Sequence, residues 1–515
     1  MGSGTLFTYP EISTIAGVQG LIVYSFASSL PILVFGIIGP IIRKRCPDGF
    51  VLTEWARQRY GLVAGLYLSA VTLITLFLYM VGELSGFQQL INVLTGLNGL
   101  PPVIVEVIIT TIYTTIGGFK VSFITDNIQG AVVLLILLIG TITVGTHVHI
   151  DHSMVHGSPL LKSSLLGWQL LYILPVAVVT NDFFLSQFWM RTFASRTDRD
   201  LRIGTVIACI VIFIMLMLIG CTGLLAAWSG TWPGDPPQEG SVAFFTLLET
   251  MPGWVICIVL VLAVFLSSAV FDSLQSAMIS TGSNDLFRNK LPLVYIRIFV
   301  VALCAPIIVV SLKSPSVLQI SLVSDLVSAA TIPVLVIGLW DKYFYWWSGF
   351  EVVVGGLGGI MSVFIFGCIY YHGNVHDAGN LILLENGLYG DDWSAFGAFV
   401  AAPVGGIVFA LIALVLRIIY NYVLFKLDKK PFDMFDRKET LDLALCTVVP
   451  DQENLATIAA VPGNASAAAS ATDVDVAHKR SDRPMSKSSK PVSVGTMEED
   501  PDVKLRANDP WYKIW

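Results

Sequence analysis

The chain has 515 residues, of which 55% are hydrophobic and only 13% charged, with a formal net charge of −7. A water-soluble domain of average make-up carries roughly 25% charged residues, so this composition excludes an ordinary soluble enzyme. The acidic balance excludes a nucleic-acid binder. The 7 cysteines lie scattered through apolar stretches with no disulfide or zinc spacing, and read as small packing residues.

In chain order, an apolar piece over 4–16 comes first, too short to cross a bilayer. It is followed by eleven runs of bilayer-crossing length, at 20–42, 60–82, 101–117, 127–146, 166–190, 203–228, 253–281, 293–312, 317–340, 350–371 and 395–422. Residues 1–422 are therefore expected to form one all-α polytopic membrane domain. The remainder, 423–515, is expected to be a largely disordered tail, since 456–505 is rich in Ala, Ser, Asp and Lys with few large apolar residues.

Basic residues fall in alternate loops: Arg43, Lys44, Arg45, Arg57 and Arg59, then Lys120, then Arg191, Arg196, Arg199 and Arg202, then Arg288, Lys290 and Arg297, then Lys342. The opposite loops hold only Lys162 and Lys313. The bias puts the first set, and the tail, in the cytoplasm. A His cluster at 147, 149, 152 and 156 sits in an opposite loop and reads as solvated.

The first set of spans ends at 146, and five more run from 166 to 340. Sets of five have opposite orientation in the membrane, the pattern of inverted-repeat transporters whose sites lie where helices break. Pro175 and Thr180-Asn181-Asp182 break the span 166–190, and its counterpart is the stub with Gly4, Thr8, Tyr9 and Pro10. Asn181 and Asp182, faced by Thr8 and Tyr9, are the expected solute ligands, and their polarity points to a small hydrogen-bonding solute. Asp126 follows Gly117-Gly118 and opens a run, Ile128 to Gly145, with no other charge. Two readings are compatible there: a helix N-cap partnered by Gln129, and an ion-handling carboxylate at the edge of a span. Asp272 lies in mid-span, one turn from Ser268; it needs a cavity or a partner, and it fits a proton carrier, which would suit proton rather than sodium coupling. Asp325, flanked by Ser321, Ser324 and Ser328, fits either a proton relay or a pair with Arg297. Glu83 and Glu106 lie near span ends and are expected at the interface.

Three stretches carry a family resemblance: Gly117-Gly118 through Thr125-Asp126 and Gln129, Gln187 through Arg191 to Arg196, and Leu318-Gln319 through Ile332-Pro333 to Trp340. Together they resemble the sodium/solute symporter family, and Thr53-Glu54 through Tyr60-Gly61 is closest in flavour to its urea/polyamine branch. The resemblance implies two inverted five-helix repeats (LeuT-like) plus peripheral helices. It associates the Asp126 position with sodium binding or release, and the 253–281 helix with paired hydroxyls on the ion. Ser267 and Ser268 meet that pattern only with a small insertion, and the ungapped positions are Ala269 and Val270. Aligning Gly20 leaves Met1 in the middle of the first core helix, so that helix is incomplete relative to the family and Gly4 falls near its carbonyl ion ligands.

The expectation is a secondary active symporter of the plasma membrane, moving a small polar nitrogenous solute, urea first, on a sodium or proton gradient. The alternative is a non-transporting sensor or truncated paralogue on the same fold. No enzyme centre is expected, since His-Glu-x-x-His and Gly-x-Ser-x-Gly are both missing. Nor is any cofactor or metal beyond transported Na+ or H+, any nucleic acid or any partner protein. The partners are the solute and the bilayer.

Overall fold

The computed structural model describes residues 2–46, 51–234, 237–288, 290–313, 317–384, 393–427, 431–432 and 435, with backbone alone at 116–121, 123, 317–319 and 341. The expected disordered tail lies, from 436 onward, outside the described residues. The described chain is helical: α1 (Thr5–Arg45), α2 (Leu52–Tyr60), α3 (Leu62–Thr95), α4 (Leu100–His147), α5 (His152–Gly157), α6 (Leu165–Asp182), α7 (Ser186–Ala194) and α8 (Asp198–Trp228). There follow α9 (Ala243–Glu249), α10 (Gly253–Thr281), α11 (Leu293–Lys313), α12 (Val317–Val336), α13 (Asp341–Phe344), α14 (Gly349–Tyr370), α15 (Val375–Ile382) and α16 (Ser394–Lys426). Among the described residues 10 helices are long and apolar enough to cross a membrane, and Leu100–Thr115 is a shorter apolar one.

The stub and the first span are joined by one residue. Gly17, at φ 64 and ψ −156, interrupts α1, and the chain doubles back there. Ile12 lies against Gly20, and the Tyr9 ring stacks on Tyr24 with centroids 4.3 Å apart. Only glycine sits easily at this backbone position, and an added Cβ would run into the Leu160 carbonyl.

A bend hides inside α4. The backbone is helical from Leu100 to His147, yet Tyr113 and Thr125 both donate to the Asp272 carboxylate. Twelve residues of straight helix span about 18 Å, more than the two side chains reach together, so α4 bends between them. The expected N-cap at Asp126 is corrected: helix runs through that residue, the N-cap of α4 is Gly99, and the Asp126 carboxylate is taken by side chains of other helices.

The break in the span 166–190 falls where expected. The helix ends at Asp182, a turn follows over 183–185, and the chain restarts as α7 at Ser186. The two limbs of α1, then α3 and the two halves of α4, form one set of five; α6–α7, α8, α10, α11 and α12 form the inverted second. Outside them α14 packs on α16 through small residues, with Gly355 against the Gly406 carbonyl and Gly359 against that of Ala402. This is the close backbone approach favoured in lipid. A buried ion pair ties the same helices: Arg417 Nε lies 2.6 Å from Glu351.

Apolar residues cover the outside as well as the core. Ile203, Ile207, Ile210 and Ile214 form an exposed stripe along α8. Such a surface is tolerated only against lipid. The basic loops meet on one face: Arg43 donates to the Ser195 carbonyl (2.7 Å), and Arg59 to that of Phe344 (2.9 Å). There too, α2 is fastened to the π-helical turn Gly282–Leu286 that ends α10. Thr53 donates to the Asp285 carboxylate and Arg57 to its carbonyl (3.0 Å).

Candidate solute and cation sites

The two breaks meet in the middle of the bundle. Asn181, fully buried at the end of α6, donates to the Tyr79 hydroxyl of α3 and accepts from Ser324 (3.1 Å) and Ser328 (3.0 Å) of α12. Its amide is thus committed to pinning three helices together. Its neighbour Asp182 is buried beside it, within electrostatic reach of Tyr9, Tyr79 and Asp325. Asp325 is buried too, close to Tyr24 and Tyr79, and its Oδ1 has no hydrogen-bond partner. Of its two expected roles, the pair with Arg297 is not what forms; its neighbours are Asn181 and Asp182.

Tyr9 also donates to Ser28 Oγ (2.6 Å), while the Thr8 hydroxyl turns back to the Gly4 carbonyl (3.2 Å). That carbonyl already accepts from the Phe7 and Thr8 amides, both at 3.1 Å. Sequence reading found Tyr9, Asn181 and Asp182 here but missed Tyr24 and Tyr79. It saw Asp325 without placing it, and the signal was an acid in the middle of a span.

A second cluster joins α4, α7 and α10. The Asp272 carboxylate is fully buried and accepts from Tyr113 (2.8 Å), Thr125 (3.1 Å) and Ser122 (3.2 Å). Asp126 is ion-paired with Arg191 and accepts from Ser273 at 3.1–3.2 Å. The residues on either side of the α4 bend thus close on α10, and carboxylate and hydroxyl oxygens gather as hard cations require.

Ser267 is not part of this cluster. Successive residues on a helix point about 100° apart, and its hydroxyl faces Glu83 and Glu106 instead; Ser268 is half-buried. The interfacial expectation for Glu83 and Glu106 is corrected: each is only 7% exposed. α3 continues to Thr95, well past the apolar run that ends at 82, which leaves Glu83 deep in the helix.

Among the described residues no three His, Cys, Asp or Glu side chains gather as a metal centre, and His147, His149, His152 and His156 are exposed. In that loop Asp151 caps α5, and hydrogen bonds from the Ser153 hydroxyl and amide hold its carboxyl below the usual range.

Paired sets of five helices, broken where buried acids and tyrosines meet and faced outward with apolar side chains, define a secondary transporter of the membrane. The sequence pattern of the Sodium:solute symporter family matches residues 1–345. The chain is 52% identical over 446 residues to the spermidine transporter DUR31 of Candida albicans, covering 86% of this chain and 85% of that protein. It is 29% identical over 136 residues to the probable urea active transporter 1 of Schizosaccharomyces pombe, covering 26% of this chain and 20% of that protein. A solved structure of a Na+-coupled sialic acid symporter, substrate-bound and outward-open, aligns with a TM-score of 0.59 at 14% identity, over 81% of this chain and 87% of that one. At that identity the likeness shows the fold alone. The chain belongs to the sodium:solute symporter family, and is a transporter rather than an enzyme.

Proposed function

We propose that the chain imports a linear polyamine, driven by the sodium gradient for which its family is named. The carrying observation is the Asp182–Asp325 pair. Both acids are buried within each other's field, and among the described residues neither has a lysine or arginine partner. Two such carboxylates both keep their charge only with positive charge between them; without it one is held as the neutral acid. An ammonium group supplies it, and the neighbouring tyrosine rings add cation–π attraction. Urea is neutral and asks only for hydrogen bonds, so the acid pair favours a polyamine over the urea expected from sequence. The spermidine named for the Candida relative agrees. Asp126 and Asp272, with Ser273 and the hydroxyls around them, are where we place the coupling cation. The face bearing the basic loops is taken as cytoplasmic and the membrane as the plasma membrane.

The test is uptake of labelled spermidine and labelled urea into liposomes holding the purified protein, under imposed sodium or proton gradients. Accumulation of spermidine under an inward sodium gradient supports the reading. Uptake of urea with no spermidine uptake restores the urea assignment. A lack of both fluxes favours the sensor alternative.

A further inference from the structure

A second carboxylate pair lies along α3. Tyr79, which borders the Asp182–Asp325 pair, and Glu83 are four residues apart, or about 6 Å of rise. Glu83 faces Glu106 of α4, and the Ser267 hydroxyl of α10 lies beside both. Glu83 Oε1 accepts the Ser3 amide (2.6 Å). Apart from the Ser267 hydroxyl's contact with the two carboxylates, three oxygens at the spot have no hydrogen-bond partner, both of Glu106 and that of Ser267, and both side chains are more than nine-tenths buried. Beyond them Tyr113 stands between Glu106 and the Asp272–Asp126 cluster. Acids therefore recur in steps through the bundle.

Resting on the polyamine reading above, we propose that Glu83, Glu106 and Ser267 form a second ammonium pocket, so that one polyamine is held at two of its nitrogens at once. A primary ammonium has three N–H donors, matching the three oxygens of Glu106 and Ser267. Nitrogens separated by three or four methylenes lie roughly 5–6 Å apart at ordinary bond lengths near 1.5 Å, comparable to the one-turn rise along α3 from Tyr79, at the edge of the first pair, to Glu83. The pocket confers selectivity for chain length: a monoamine fills the Asp182–Asp325 pair only, and a polyamine fills both.

The experiment is equilibrium binding of spermidine and of n-butylamine to the full chain in detergent, on wild type and on Glu106→Gln, Ser267→Ala and Asp325→Asn. Spermidine is expected to bind Glu106→Gln about tenfold or more weakly and Ser267→Ala about threefold more weakly, with n-butylamine within about twofold of wild type on both. Asp325→Asn weakens both amines. Ser267→Ala removes one hydroxyl and no charge, so it carries the test if Glu106→Gln fails to fold. Equal loss of both amines in Glu106→Gln and Ser267→Ala overturns the second pocket, as does unchanged spermidine binding. Loss of sodium dependence with amine selectivity intact assigns the pair to the driving ion and also overturns it. Wild type that binds neither amine removes the polyamine reading itself, an outcome separate from the others.

Discussion

Gly17→Ala tests the hairpin that brings the first limb of α1 back onto the second. At φ 64 and ψ −156 an L-residue occupies a region that is essentially reserved for glycine, at a strain of about 1–3 kcal/mol. The new methyl also meets the Leu160 carbonyl, which is backbone and cannot rotate away. Overpacking of this kind costs about 1–3 kcal/mol more. The sum, about 2–6 kcal/mol, lowers the folded-to-unfolded ratio at least ~30-fold. The assay is equilibrium unfolding in mixed detergent micelles, followed by emission from the 12 tryptophans. Gly140→Ala is the control, because an added Cβ there meets nothing within 4 Å and alanine is the better helix former by about 1 kcal/mol. Gly17→Ala should unfold early and Gly140→Ala no earlier than wild type. If Gly17→Ala unfolds together with wild type, the hairpin geometry is wrong. A stable Gly17→Ala that loses spermidine binding would instead mean that the Tyr9–Tyr24 stack moves without a folding cost.

Asp272→Asn is expected to abolish gradient-driven accumulation, whereas Asp126→Asn weakens sodium dependence and leaves some flux; equal, full activity in both would refute their ion roles. Tyr79→Phe removes the hydroxyl that engages Asn181, and should cost about 1 kcal/mol of stability and raise KM for uptake more than it lowers kcat. An unchanged KM would show that Asn181 holds its place without Tyr79. Arg417→Leu strands the fully buried Glu351 and is expected to destabilise by about 3–5 kcal/mol. Adding Glu351→Leu should recover part of that loss, and the midpoint of unfolding compares the two.

The helical frame could be read from the sequence because bilayer spans announce themselves by length, and because Pro175 with Asn181-Asp182 marks the broken helix directly. The turn at Gly17 was harder to see. One glycine among small and apolar neighbours carries little signal, and its role depends on the Leu160 carbonyl far along the chain. Asp126 looked like a cap since its partner Arg191 is 65 residues away and local sequence offered Gln129. Glu83 looked interfacial because hydropathy fades near Gln88 and Gln89 while the helix does not. The meeting of Asp182 with Asp325 arises only when α6 packs on α12, and no local pattern encodes it.

The fastening of α2 to the end of α10 bears on how the transporter can move. α2 lies in the chain between α1 and α3, both members of the first repeat, yet Thr53 and Arg57 hold it to Asp285 at the end of a helix of the second. On that face the connection from α1 to α3 therefore travels with α10. The slack for rocking one repeat against the other must come from the chain on either side of α2. Towards α3 that is the single residue Gly61, at φ 92, a conformation in which glycine alone sits easily. Stiffening Gly61 would slow the swing without touching either binding site.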